Sequence, residues 1–461
     1  MKLHLKWKAM MLFLAIAAAG ILAACSAGGE ETPEGPVTLI YANLTEGGVD
    51  RGAVSRFNES HQDVQIEVRD YFDNGDSSGR SGKERLLTEI GAGKIPDIID
   101  LGRGSSYYIS VLPYESLVHK GILEDLWPYI ENDPELGREG VLEAPLKAAE
   151  VDGGLYTIFN KVGINTLVGA ESVVGDRTSW TLEDFWETFA SMPEGSTPMA
   201  LYTDAETVFF ELIRMNVNNY VNWETGECFF NEGEFKKFLE FSGSFPREHK
   251  IFTDEESIEA GEEIARARAE GRQMVDTYVL MEPLGIQHLD ALYGLGEKAA
   301  LVGYPVEDGA PGSSFYIYDN RKLCMSSTCQ DKEAAWEFLR ETLLPKYEDA
   351  EAMYWALTDT EKHGWVGIPV NRADYDLLRR VCMNWKPFRD DPRHEYHKAT
   401  EDEVRRFDDF VNSIGRIELM DDNIFNIIED VSPAYFAGDK TLDETAALIQ
   451  NRVGLYVNEQ M

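Results

Sequence analysis

Apolar positions along this chain fall into distinct regimes. From Ala9 to Ala24 they run without a charged residue, ending Ile21-Leu22-Ala23-Ala24-Cys25. The segment after Cys25 carries no apolar period, and from Val37 onward short apolar runs alternate with amphipathic stretches. Val37-Thr38-Leu39-Ile40-Tyr41-Ala42 predicts a buried strand and is followed by a helix through Phe57. Val64-Gln65-Ile66-Glu67-Val68 alternates as a second strand. Lys83 to Ile90 places Leu86, Leu87 and Ile90 on one helical face and stops at Gly91 and Gly93; Ile95 to Leu101 is then a third strand. Later the pattern returns in kind. Leu155 to Phe159 and Ala300 to Pro305 predict strands; Thr203–Asn216, Glu232–Phe241 and Lys332–Leu344 predict helices. Thr181 with Asp184, and Thr253 with Glu256, are capping boxes that open helices to Phe189 and Glu270. The last hundred residues are mostly helical and end with Leu442–Val457. Strands alternating with helices predict a mostly parallel sheet, here as two α/β lobes with a helical C-terminal tail.

The N-terminus changes the picture first. Lys2, Lys6 and Lys8 precede the Ala9–Ala24 run, no acidic residue stands before Glu30, and small residues lead up to Cys25. That is the layout of a secretory signal over residues 1–24, and the run is short of the ~20 apolar residues a permanent span needs. Leu-Ala-Ala-Cys resembles the lipobox of bacterial lipoproteins, which implies acylation of Cys25. Two acyl chains hold a protein stably where one does not. Residues 25–36, rich in Gly, Glu and Pro, then predict a flexible tether. The expected location is the outer face of the cytoplasmic membrane, held only through the lipid.

Composition narrows the classes. With 461 residues, 43% of them hydrophobic, the chain holds two to three domains' worth of core. Lys plus Arg number 43 against 82 Asp plus Glu, a formal net charge of −39. Such a surface repels phosphate backbones, and the only basic pairs are scattered, as at Arg379–Arg380 and Arg405–Arg406. Nucleic acid is thereby excluded as a partner.

Chemical motifs are sparse. The chain has no phosphate-cradling Gly-x-x-x-x-Gly-Lys-Ser/Thr, no Gly-x-Gly-x-x-Gly and no Gly-x-Ser-x-Gly. His394 and His397 are three apart, where a zinc helix needs four, so they are read as a solvated face. Asp70, Asp73 and Asp76 are read as a polar turn because no closing Glu follows at cation-loop distance. No metal or cofactor is expected, nor is catalysis. Cys228, Cys324, Cys329 and Cys382 are read as free thiols, although Cys324 and Cys329 are near enough in sequence to close a small loop. The positive signal is aromatic: nine Trp, 20 Tyr and 22 Phe exceed what two lobes need for packing, and several fall where strands end. Ligands of open α/β sheets gather at those ends, and sugar rings offer apolar faces to aromatic side chains.

Six segments carry a family resemblance. They are Glu84–Ile99 (ERLLTEIGAGKIPDII), Gly121–Ile130 (GILEDLWPYI), Asp152–Ile158 (DGGLYTI), Trp180–Phe185 (WTLEDF), Lys332–Leu339 (KEAAWEFL) and Gly367–Asn371 (GIPVN). In this order the chain resembles the extracellular solute-binding lipoproteins of ATP-driven (ABC) importers, the maltose-binding class of family 1, departing from it at Phe159-Asn160, where the family carries a Pro. The resemblance implies a type II periplasmic-binding-protein-like α/β fold: two lobes, a hinge cleft and a helical C-terminal tail. Residues 37–150 and 320–345 would form lobe I; 151–319 and 346–461 would form lobe II. It implies capture, without chemistry, of a small extracellular solute, most simply a sugar or oligosaccharide, by a monomer that delivers it to membrane permease subunits. By family position the ligand contacts would be Thr45, Glu46, Tyr71, Asp73 and Arg103 from lobe I, with Asp204, Phe209, Tyr278 and Trp365 from lobe II. A glycan-acting hydrolase and a ligand sensor for a signalling partner are the alternatives.

Overall fold

The computed structural model describes residues 35–44, 49–72, 80–104, 109–200, 203–247, 253–293, 298–307, 310–317, 321–358, 366–386, 397–419 and 422–460. Two main sheets organise them. Their strands are β1 (Val37–Asn43), β2 (Val64–Asp70), β3 (Ile98–Asp100), β4 (Lys161–Ala170), β5 (Asp276–Leu280), β6 (Ala299–Leu301), β7 (Ser314–Ile317), β8 (Leu323–Met325) and β9 (Ile368–Pro369).

The first sheet has the order β8-β3-β1-β2. β1 runs parallel to β2, from Val37 opposite Val64 to Asn43 opposite Asp70, and parallel to β3; β8 closes the edge antiparallel to β3. The apolar run of β1 buries Leu39, Tyr41 and Ala42. The helix Arg51–Ser60 is capped by Asp50, whose carboxylate accepts from Ala53 N at 3.0 Å, and turns Ala53, Val54 and Phe57 inward. The later helix Lys332–Arg340 joins the same core: the Phe338 ring meets both Phe57 and Tyr41. Asp97 fastens the returning segment to β1. Its buried carboxylate accepts from Ile40 N at 2.8 Å and from Gln330 N at 2.9 Å. A buried carboxylate is tolerated because both oxygens find backbone donors.

The second sheet is built around β4, to which β5, β6, β7 and β9 all pair antiparallel. Every residue of β4 from Val162 to Ala170 is buried, so the strand is mostly apolar, with Asn165 and Thr166 as its polar positions, and shows no alternation. Four helices cover this unit: Ala205–Ile213, Gly233–Ser242, Asp422–Val431 and Leu442–Gln460. Their rings and aliphatic faces form one core in which Phe209 touches Phe235 and Phe436. The C-terminal helices are therefore part of this unit's packing. A smaller helical cluster centres on Met353, Leu378 and Val404.

Three expectations need correction. The second sheet is wholly antiparallel among the described residues, and β8 is antiparallel in the first. Helical excursions between its strands look in sequence like parallel crossovers, but β5, β6, β7 and β9 each come back to pair with β4 in the direction opposite to it. Leu155–Phe159 is mostly a crossing segment: only Gly154–Leu155 pairs as a strand, and Ile158 makes an isolated bridge to Leu323. The central strand β4, with β5 and β7, was not anticipated at all. Both capping boxes are present as read.

The chain passes between the two units three times, and the passages are bonded to one another. Ile158 and Leu323 exchange backbone hydrogen bonds at 2.9 and 3.0 Å, and Val370 N donates to Asn160 O at 2.8 Å. Asn371 anchors the third passage by donating to Leu343 O at 2.8 Å.

Candidate functional site

Where the two units face each other lies a cavity of about 200 Å³ with walls from both. The first unit contributes Tyr114 and Glu115 at the start of the helix Tyr114–His119, and the turn Ala148–Val151. Arg214, Met215, Asn218, Ser314 and the segment Gly415–Leu419 come from the second.

Local structure fixes each of these groups. The helix Ala205–Ile213 ends just before Arg214, and the turn beyond it is held by Asn216. That fully buried amide donates to Pro305 O at 2.9 Å and to Leu212 O at 3.3 Å, while its oxygen accepts from Glu307 N at 3.3 Å. The turn therefore displays Arg214, Met215 and Asn218 in one orientation. Residues 416–418 run alongside β7, with Phe315 N donating to Arg416 O and Glu418 N to Phe315 O, both at 2.8 Å. Side chains alternate along such an extended segment, which puts Arg416 and Glu418 on the same side.

Glu418 is the hub of the far wall. It accepts from Asn165 Nδ2 at 2.6 Å and from Ser314 Oγ at 2.8 Å, and its second oxygen lies 3.7 Å from Arg214. Arg214 also pairs with Glu211 at 3.3 Å, and Glu211 accepts from Tyr304 OH at 3.0 Å. Burial, then the Glu211 charge, pushes the Tyr304 hydroxyl well above its ordinary range, so it stays a donor. Arg416 donates to Met215 O at 3.0 Å. On the near wall, Tyr114 OH donates to Ala149 O at 2.8 Å, and Glu150 accepts from Trp127 Nε1 at 2.7 Å.

The two walls touch at their rims. Asn218 Nδ2 donates to Glu115 at 3.4 Å, Lys83 Nζ to Asn423 at 3.4 Å, and Ser116 Oγ to Gln460 O at 3.5 Å. Donors from Arg214, Arg416 and Asn218 stand among acceptors from Glu115, Glu150 and Glu418. A small polyhydroxylated solute, each hydroxyl both donor and acceptor, matches that mixture. Among the described residues no cluster of three or more His, Cys, Asp or Glu is arranged to hold a metal ion. Likewise no helix of the described residues is long and apolar enough to cross a membrane.

None of the described residues expected at the ligand lies on this cavity. Tyr71 is 3% exposed; its hydroxyl donates to Glu89 at 2.7 Å, Arg85 covers its ring, and burial followed by Glu89 pushes it up to about 12. Asp204 is an N-cap, accepting from Thr207 N at 2.9 Å. Phe209 is fully buried in the aromatic core of the second unit. Tyr278, half-buried on β5, stacks on His288 at 6.0 Å. The backbone of Arg103 pairs with Ser110 in a short hairpin, and its side chain lies outside what is described. Thr45, Glu46, Asp73 and Trp365 also lie outside the described residues, as do residues 1–34 with Cys25, and His394. Cys228, Cys324 and Cys329 are free thiols. Sequence reasoning missed Tyr114, Glu115, Arg214, Asn218, Arg416 and Glu418. The one available signal was the alternation Arg416-Ile417-Glu418-Leu419, which reads as a strand carrying two charges on one face.

No protein-family model matches the chain, and no curated protein matches it. Solved structures do resemble it. An extracellular solute-binding protein family 1 member from Alicyclobacillus acidocaldarius is 16% identical over 92% of this chain and 99% of its own, with a TM-score of 0.42. The sugar-binding protein MalE from Xanthomonas citri is 13% identical over 92% and 98%, with a TM-score of 0.49. A cyclic alpha-maltosyl-1,6-maltose binding protein from Arthrobacter globiformis is 15% identical over 92% and 100%, with a TM-score of 0.45.

Proposed function

We propose that this chain is the solute-binding component of an ABC importer, capturing a sugar or oligosaccharide in the cleft between two lobes and passing it to permease subunits in the membrane. The observation that carries this reading is the cavity at the junction of two α/β units, walled by both and adjoined by three hydrogen-bonded crossings. Rotation at the crossings is the motion by which such a space would open and close. The mixed donors and acceptors on the walls favour a neutral, hydroxyl-rich ligand over an ion.

On this reading, residues 37–150 and 320–345 form lobe I, to which β8 and the helix Lys332–Arg340 return, and 151–319 with 346–461 form lobe II. Signal cleavage before Cys25 and acylation of its thiol would leave residues 25–36 as a leash between the lipid and a monomeric binding body. The protein binds and does not transform its ligand.

The test is a thermal-shift screen of the chain from residue 26 onward against neutral mono- and oligosaccharides, amino acids, peptides and polyamines. A sugar at 100 times its Kd should add ~2.7 kcal/mol to stability and raise Tm accordingly. Stabilisation by a different class alone, with none by any sugar, would overturn the reading.

A further inference from the structure

A groove of about 850 Å³ lies away from the interlobe cavity, on the outside of the second unit, between the helices Leu182–Ala190 and Gly233–Ser242. Leu182, Trp186 and Ala190 recur every four residues along its floor, a stripe on one face of the first helix. Trp186 is 40% exposed, which is unusual for so large an apolar side chain. Its ring is nevertheless held in place, packed against Phe241 with the rings tilted by 41° at a centroid distance of 4.9 Å. An indole held by packing and still partly bare loses little freedom on binding. The rim is one-signed: Glu183, Glu187, Glu234, Glu240 and Glu307 line the groove, against a single Lys237. Lys237 is bonded to Glu234 and also feels Glu183 and Glu307, so the rim carboxylates converge on one place.

We propose that this groove is a docking surface for a cationic amphipathic helix of a partner protein. An apolar stripe of that helix would lie on Leu182, Trp186 and Ala190, and its flanking Lys or Arg side chains would reach the glutamates on either side. Two features on one surface select this occupant. An apolar stripe runs along the floor of the groove, where the apolar face of an amphipathic helix could be laid. The rim supplies negative charge where the flanks of that helix would carry positive charge, and Trp186 adds a face for cation–π contact.

The experiment is fluorescence anisotropy of a labelled synthetic 18-residue peptide, leucine on one helical face and lysine on the other, titrated with the chain from residue 26 onward. Saturable binding is expected, weakened at least tenfold by Trp186→Ala and at least tenfold by the triple variant Glu183→Gln, Glu187→Gln, Glu240→Gln. A charge-matched control removes three exposed carboxylates from the helix Asp254–Ala269, as Glu255→Gln, Glu259→Gln, Glu262→Gln, and is expected to leave binding within twofold. Equal loss in the control triple would mean the peptide follows net charge alone and would overturn the proposal. So would unchanged affinity in Trp186→Ala, or self-association of the chain that Trp186→Ala abolishes, since the occupant would then be a second copy. Thermal melts of each variant, expected within a few degrees of the parent, keep misfolding apart from lost docking. Sugar binding in the interlobe cavity should be unaffected by all three, so this result and the importer reading stand or fall separately.

Discussion

The Asn165 side-chain amide donates to Glu418 at 2.6 Å, joining positions 253 residues apart. Asn165 sits mid-strand in β4, the central strand of the second unit; Glu418 belongs to the segment that leads into the C-terminal helices. Through this bond and its companion from Ser314, the C-terminal segment is fixed onto the sheet, and Arg214 is held at the cavity wall by the remaining Glu418 oxygen.

Replacing Glu418 separates these roles. Glu418→Gln retains an acceptor oxygen for Asn165 and Ser314 and loses only the charge facing Arg214. Glu418→Ala loses both and leaves the nearly buried Arg214 with Glu211 as its ion-pair partner. Urea unfolding should show a loss of about 1–2 kcal/mol for Gln and ~3 kcal/mol or more for Ala. Equal losses in the two variants would remove the hydrogen bonds from the account.

Asp100 predicts an unusual pH dependence. It ends β3, fully buried, with one oxygen accepting from Gly102 N at 3.1 Å and Lys322 N at 3.4 Å and the other without a hydrogen-bond partner. Burial outweighs the attraction of Lys322 and pushes its carboxyl up to about 7 from an ordinary 3.8. The folded state therefore holds a proton that the unfolded state has released between those values. By linkage this contribution is fully present below about pH 4 and lost as pH rises through about 7. Relative to Asp100→Asn, the parent should gain about 2–3 kcal/mol between pH 8 and pH 5. Guanidinium unfolding of both proteins at the two pH values measures it; parallel curves would show that Asp100 stays ionised.

Phe209 is a core residue, and its replacement should behave accordingly. Phe209→Ala should cost ~3–5 kcal/mol of stability, seen as a marked fall in Tm, because the ring's place among Phe235 and Phe436 becomes a cavity. The folded fraction should bind ligand as before. A normal melt with lost affinity would return Phe209 to the ligand site.

Cys25 is tested by Cys25→Ser in cells, followed by detergent phase partitioning. The expected result is a protein left unprocessed or released to the aqueous phase. A variant still processed and recovered in the detergent phase would contradict acylation at this position.

What the sequence by itself determined is whatever short-range chemistry controls. Three strands of the first sheet, β1, β2 and β3, appear where their apolar runs predicted, because each run is set off by helical or breaker residues. The capping boxes at Thr181 and Thr253 formed because their partners are three residues away. Only the tertiary structure decided the rest. β4 carries no alternation because it is covered on both faces, so its run Val162 to Ala170, broken by Asn165 and Thr166, shows no strand period. Its antiparallel neighbours return only at Asp276, Ala299, Ser314 and Ile368, all more than a hundred residues beyond Ala170, and strand direction across such distances has no local cue. Of the aromatic residues expected at the ligand, Tyr71 and Phe209 are packed inside their units. The cavity is lined by Tyr114, Arg214, Asn218 and Glu418, ordinary residues in sequence, brought together by three crossings and a C-terminal segment that folds back onto the second sheet. Their chemistry depends on which wall each one faces, and that is set by chain returns hundreds of residues long.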